Sequence, residues 1–134
     1  MAKPPVPTNI DAVLAEPNPA IIATVRPDGA AVTVATWYVW DDGRILVNMD
    51  AERRRLHYLR SDPRVSLTVL DGPNWYRHVS LQGSVVSLED DPDLSGIDRV
   101  SRHYTGSAYP NRDRKRVSAW IEVDAWNAWG FDPS

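Results

Sequence analysis

Cysteine is missing from all 134 residues, which removes disulfides, thiolate nucleophiles and cysteine-bound metals. Lysine is nearly missing: the fifteen basic side chains are Lys3, Lys115 and thirteen arginines. Histidine is scarce. His57, His78 and His103 stand far apart, without the close pairs a zinc site uses. No apolar run approaches the roughly 20 residues that span a bilayer, so no membrane association is expected. The N-terminal MAKPPVPTNI lacks the apolar core of a signal peptide, and the expected location is the cytoplasm. The net charge of −3 gives no reason to expect nucleic-acid binding. No GxGxxG or phosphate-loop pattern occurs. Ser101, His103 and the nearby acids have no nucleophile-elbow context, so no catalytic triad is assigned. The carboxylate runs Asp41-Asp42 and Glu89-Asp90-Asp91 sit beside turns or a helix start, where capping and solubility account for them. No metal ligand and no catalytic side chain is singled out.

What remains is 43% hydrophobic and 25% charged, the balance of one ordinary globular domain over residues 1–134. Residues 1–8 are proline-rich and expected to be a flexible N-terminus. A short helix is expected from Thr8. Strands follow at Ala20–Arg26, Ala30–Trp40, Arg44–Met49, Val65–Leu70, Trp75–Leu88 and Arg116–Val123. Pro27-Asp28-Gly29, Asp41-Asp42-Gly43 and Asp71-Gly72-Pro73-Asn74 separate neighbouring strands as turns. Gly83 falls inside a strand, where a bulge is expected. Asp50 reads as the N-cap of a helix over Ala51–Arg60, and Pro92 as the first position of a helix ending near Tyr104. Six strands joined by short turns, without regular βαβ alternation, predict a mainly β fold: a barrel with short helices.

Two features carry chemistry. Arg53, Arg54 and Arg55 occupy the start of the expected helix, the end at which the helix dipole disfavours cations. Either they are a solvated run partly neutralised by Asp50 and Glu52, or they hold an anion such as a phosphate. The six tryptophans are the second feature. Trp37, Tyr38 and Trp40 share one strand, with Trp37 and Tyr38 on opposite faces; Trp75, Tyr76 and His78 begin another. Core or dimer packing explains such residues, and so does a flat ligand against Trp37, Trp75 or Tyr76. A ligand that is planar at one end and phosphorylated at the other is a flavin or deazaflavin mononucleotide.

Four segments carry a family resemblance: the hairpin AIIATVRPDGAAVTVATWYVWDDGRILVN, the block from Arg53 to Leu67, the strand NWYRHVSLQGSVVSL, and RHYTGSAYP from Arg102 to Pro110. Together the chain resembles the flavin/deazaflavin oxidoreductase superfamily, whose fold is the split β-barrel of pyridoxamine 5′-phosphate oxidase, and within it the F420-dependent branch. The resemblance implies a six-stranded antiparallel split barrel that forms a homodimer with cofactor sites at the subunit interface. It implies phosphate binding by Asn48, Met49, Ala51, Arg53 and Arg55. It places Trp37 or Tyr38 near the ring, and Trp75, Tyr76 and His78 as aromatic contributions from the partner subunit. The implied activity is hydride transfer from reduced coenzyme F420 to an unsaturated small molecule. FMN is the alternative cofactor, and a non-catalytic flavin- or tetrapyrrole-binding protein is the alternative in kind. Asn74-Trp75-Tyr76, Ser80 and Gln82 depart from the family pattern.

Overall fold

The structure is a computed structural model and describes residues 1–131. Its elements in order are α1 (Thr8–Leu14), β1 (Ala20–Val25), β2 (Ala31–Thr36), β3 (Val39–Asp41), β4 (Arg44–Asp50), α2 (Arg54–Ser61), β5 (Arg64–Asp71), β6 (Asn74–Asp90), α3 (Ser95–Thr105) and β7 (Arg116–Trp129). The last three positions of the expected domain lie outside the described residues.

The sheet has seven antiparallel strands in the order β2-β1-β5-β6-β7-β4-β3, not the expected six. The extra strand arises because Ala30–Trp40 is broken at Trp37-Tyr38. Its two halves form the opposite edges of the sheet, so two residues tie the ends of the sheet together. Thr36 and Val39 are three residues apart, a span of at most roughly 11 Å. The sheet therefore curls into a barrel that is closed at that corner and split elsewhere between β2 and β3.

The interior follows from alternation. Ala20, Ile22 and Thr24 of β1, Val65, Leu67 and Val69 of β5, and Val117, Ala119, Ile121 and Val123 of β7 point inward and are buried. Ile10 and Leu14 of α1 and Leu56 and Leu59 of α2 join the same cluster. The strand pairing shifts register between Gln82 and Gly83, as expected of the glycine. The N-terminus meets β7 at Trp126, with which Ala2 exchanges two backbone hydrogen bonds, each 2.9 Å, and whose indole donates to the Lys3 carbonyl at 3.2 Å. β2 stands apart, because neither of its faces carries a buried residue.

Two helix starts differ from expectation. α2 begins at Arg54, not Ala51, because Asp50 completes β4 opposite Arg116 and its carboxylate is taken by Arg114, at 2.7 and 3.1 Å. α3 begins at Ser95, not Pro92. Asp91 reaches forward instead and accepts from the amides of Gly96 and Ile97, both at 2.9 Å. Among the described residues no helix is long and apolar enough to cross a membrane.

Candidate functional site

A cleft of about 1080 Å³ opens between β2 and the end of β4. One wall is β2 from Val32 to Thr36; the opposite wall is built from the start of α2, Asn48 and Met49 on β4, and Tyr104 on α3. Arg116 of β7 lies in the same lining.

Of the expected residues, Trp37, Asn48, Met49, Arg53 and Arg55 line this cleft. Trp37 is 38% exposed and stacks on Tyr104, ring centroids 5.3 Å apart and planes 12° from parallel. Tyr104 is itself fixed: its hydroxyl donates to the Asn18 carbonyl at 2.7 Å and accepts from the Tyr38 amide at 3.3 Å. One face of Trp37 is thus held by the protein. Alternation turns Tyr38 the other way, so it is not a cleft residue. It is fully buried, and its hydroxyl donates to the Leu14 carbonyl at 2.8 Å. Burial pushes its phenol well above the usual range and pushes that of Tyr104 up to about 12.

Ala51 lies off the main cleft. Its amide donates to the Lys115 carbonyl at 2.9 Å, and it borders a second hollow of about 390 Å³ on the outer side of α2. That hollow carries Arg53, Arg54, His57 and Arg60, so the two depressions meet at the arginine run. Trp75, Tyr76 and His78 are elsewhere on the protomer, at the β5–β6 turn. Trp75 and Tyr76 stack on each other at 4.3 Å while 58% and 64% exposed, and His78 Nδ1 lies 3.1 Å from the Trp75 carbonyl.

The electrostatics centre on Arg55. It is half-buried, and its Nε is buried with no hydrogen-bond partner. Desolvation first, then the neighbouring charges of Arg53 and Arg116, pull its pKa below the usual guanidinium value. Among the described residues no carboxylate lies within ion-pair distance of Arg53, Arg55 or Arg116. The two acids expected to neutralise the run are engaged by Arg114, which binds Asp50 at 2.7 Å and Glu52 at 2.8 Å. A half-buried cation surrounded by like charges lacks only an anion, and the cradle fits a phosphate. An adjoining aromatic wall and a cleft of this volume fit a tricyclic ring.

Arg116, Tyr104 and Tyr109 also line the cleft and are not among the residues expected from the sequence. From the sequence Arg116 is only the start of a strand. Its guanidinium lies 4.7 Å over the Tyr109 ring. The one available signal was that Tyr104 and Tyr109 both fall within the RHYTGSAYP segment.

A family model described as pyridoxamine 5′-phosphate oxidase matches residues 6–130. No curated protein sequence matches the chain. Among solved structures, an F420 reductase superposes with a TM-score of 0.84 at 27% identity, over 91% of this chain and 98% of that one. A conserved hypothetical protein from Mycobacterium tuberculosis gives 0.75 at 26% identity, over 95% and 86%. General stress protein 26 of Bacillus anthracis gives 0.71 at 14% identity, covering 92% of each chain, a likeness of fold alone.

Proposed function

The chain belongs to the pyridoxamine 5′-phosphate oxidase family, and from that premise we propose that it is an oxidoreductase working with reduced coenzyme F420 on an unsaturated small molecule. The observation that carries the reading is Arg55, half-buried and unpaired beside Arg53 and Arg116. When bound, a reduced deazaflavin supplies the hydride chemistry, and the protein binds, orients and dries the site. Arg53 and Arg55 hold the phosphate. Trp37, backed by Tyr104, offers its remaining face to the ring. Neither Tyr38 nor Tyr104 is a proton source. Burial makes both phenols weaker acids than a free tyrosine, and each hydroxyl proton is committed to a backbone carbonyl. The proton that completes reduction of the acceptor comes from solvent.

FMN shares the tricyclic ring, ribityl chain and phosphate, so the same arginines and Trp37 would serve it. Two observations favour F420. The likeness to an F420 reductase covers nearly the whole of both chains. The basic hollow around Arg54, His57 and Arg60 continues from the arginine run, where the acidic tail beyond the F420 phosphate needs room. Assembly as a homodimer belongs to the same reading. β2 carries no buried residue and Trp75, Tyr76 and Trp129 are exposed, so a second copy would cover the cleft and bring its own Trp75, Tyr76 and His78 toward it.

The test is a parallel fluorescence titration with F420 and FMN, followed by turnover of enones and quinones with reduced F420. Tight F420 binding with weak FMN binding is the expected result. The reverse preference would make this an FMN enzyme, and binding of neither overturns the reading.

A further inference from the structure

A buried polar chain runs inward from the cleft wall at Asn48 and Arg116. Asn48 is only 8% exposed and Asp91 only 6%. Asn48 Nδ2 donates to Asp91 Oδ2 at 3.1 Å and to Ser118 Oγ at 2.9 Å, and Asn48 Oδ1 accepts from Arg116 Nε at 2.8 Å. The charges at the two ends leave this amide one orientation. A carboxylate only accepts and a guanidinium only donates, so the nitrogen must face Asp91 and the oxygen must face Arg116. Asp91 is fixed in turn by the amides of Gly96 and Ile97 at the start of α3. The cluster is close-packed: a Cβ on Gly96 would lie 2.3 Å from Ser118 Oγ and 3.2 Å from Asn48 Nδ2.

The outcome is at the Arg116 end. Only its Nε is used by Asn48. Among the described residues neither of its Nη groups has a hydrogen-bond partner, while its guanidinium plane rests over Tyr109 in the cleft lining. Tyr109 is fixed as well, because its amide donates to Asp98 Oδ1 at 3.0 Å. A guanidinium anchored through Nε and stacked on a ring keeps its fork pre-organised, and a lysine could not be held this way.

We infer that Arg116 is a third contact residue for the anionic group in the cleft, and that Asn48 and Asp91 are positioning residues which aim it and do not themselves touch the ligand. This rests on the reading of the cleft as a phosphate site and changes the role of Asn48 within it. It also ties the anion site to the start of α3.

The test uses the full-length protein and three probes: F420, its deazaflavin riboside lacking the phosphate, and inorganic phosphate followed by isothermal titration calorimetry. Arg116→Gln should weaken F420 and phosphate roughly 10- to 100-fold and leave the riboside unchanged. Asn48→Ala should do the same in wild type and add little in the Arg116→Gln background, since it acts through that residue. Arg116→Lys should recover less than half of the lost affinity, because the charge returns without the anchor. Arg116 is only half-buried, so its variants are expected to fold, which thermal melting checks. Equal loss of F420 and riboside, or additive effects of Asn48→Ala and Arg116→Gln, would overturn the proposal. If phosphate binding follows the expected pattern but F420 does not bind, the cofactor reading fails and the relay stands. If F420 binds and Arg116→Gln costs nothing, the relay fails alone. Wild-type protein that binds none of the probes overturns both.

Discussion

At the scale of single residues, Arg114 decides the charge balance of the cleft, because it holds both Asp50 and Glu52 away from the 53–55 arginines. The arginine run at residues 53–55 was visible as a conflict with the helix dipole. Which acids would neutralise it was not. Asp50 and Glu52 are the nearest in sequence, yet both are held by Arg114, across the β4–β7 pair. That pairing has a pH signature. Arg114 first, and the Glu52 amide second, hold the Asp50 carboxyl down at about 2, against an ordinary 3.8. A carboxyl depressed on folding contributes stability that is complete above about pH 4 and is lost as pH falls through about 2. Melting temperature recorded between pH 5 and 2 should therefore fall less steeply for Arg114→Ala than for wild type. Parallel curves would show that the pair does not contribute. Trp37 and Tyr38 were equal alternatives for the ring, since alternation shows that neighbours face opposite ways but not which one faces the core. Their burial assigns Trp37 to the cleft. Trp37→Ala should weaken F420 and its phosphate-free riboside alike, roughly tenfold, in a fluorescence titration. Loss confined to F420 would contradict a ring-binding role.

At the scale of elements, strands were easier to read than helix starts. Turn residues and alternation located the hairpins and the Gly83 bulge. The break at Trp37-Tyr38 left no mark, because closing the barrel needs the chain to pass from one sheet edge to the other and both halves keep β-type residues. The start of α3 was misplaced for a related reason. Asp91 caps it from beyond the Pro92 turn, through amides five and six residues ahead. Asp91→Ala should destabilise the fold by about 2 kcal/mol in urea unfolding, as expected for a lost cap plus an unpaired buried amide. A change under about 0.5 kcal/mol would mean that the cap is not structural. Gly83 is the other sensitive point. An added Cβ would lie 2.0 Å from the Glu122 carbonyl oxygen of the neighbouring strand, and backbone cannot yield as a side chain can. Gly83→Ala should be destabilised by at least about 2 kcal/mol, read by the same unfolding curves.

At the scale of the whole molecule, the cleft lies where β2 leaves the end of β4 and the start of α2 uncovered. Sequence pattern reached the fold class and the four motifs. It could not show that Arg116, 61 positions after Arg55, completes the arginine cluster, because the β4–β7 register puts it there. If a second copy supplies aromatics to the cleft, two defective variants should complement each other. Mixing Arg55→Leu with Trp75→Ala/Tyr76→Ala would leave one intact site in every mixed dimer, restoring F420 binding that neither parent shows. No restoration would place those aromatics outside the site. The claim on which the rest depends is that Arg55 is kept half-buried and unpaired for an anionic ligand at the expense of the free protein's stability. The most direct measurement is Arg55→Leu beside wild type, with F420 affinity and ligand-free melting temperature taken on the same preparations. F420 binding should fall by about 100-fold or more, while the ligand-free protein is as stable as wild type or more stable by roughly 1 kcal/mol. Unchanged affinity, or a marked loss of ligand-free stability, would mean that Arg55 serves the fold and that the cleft is not built around an anion.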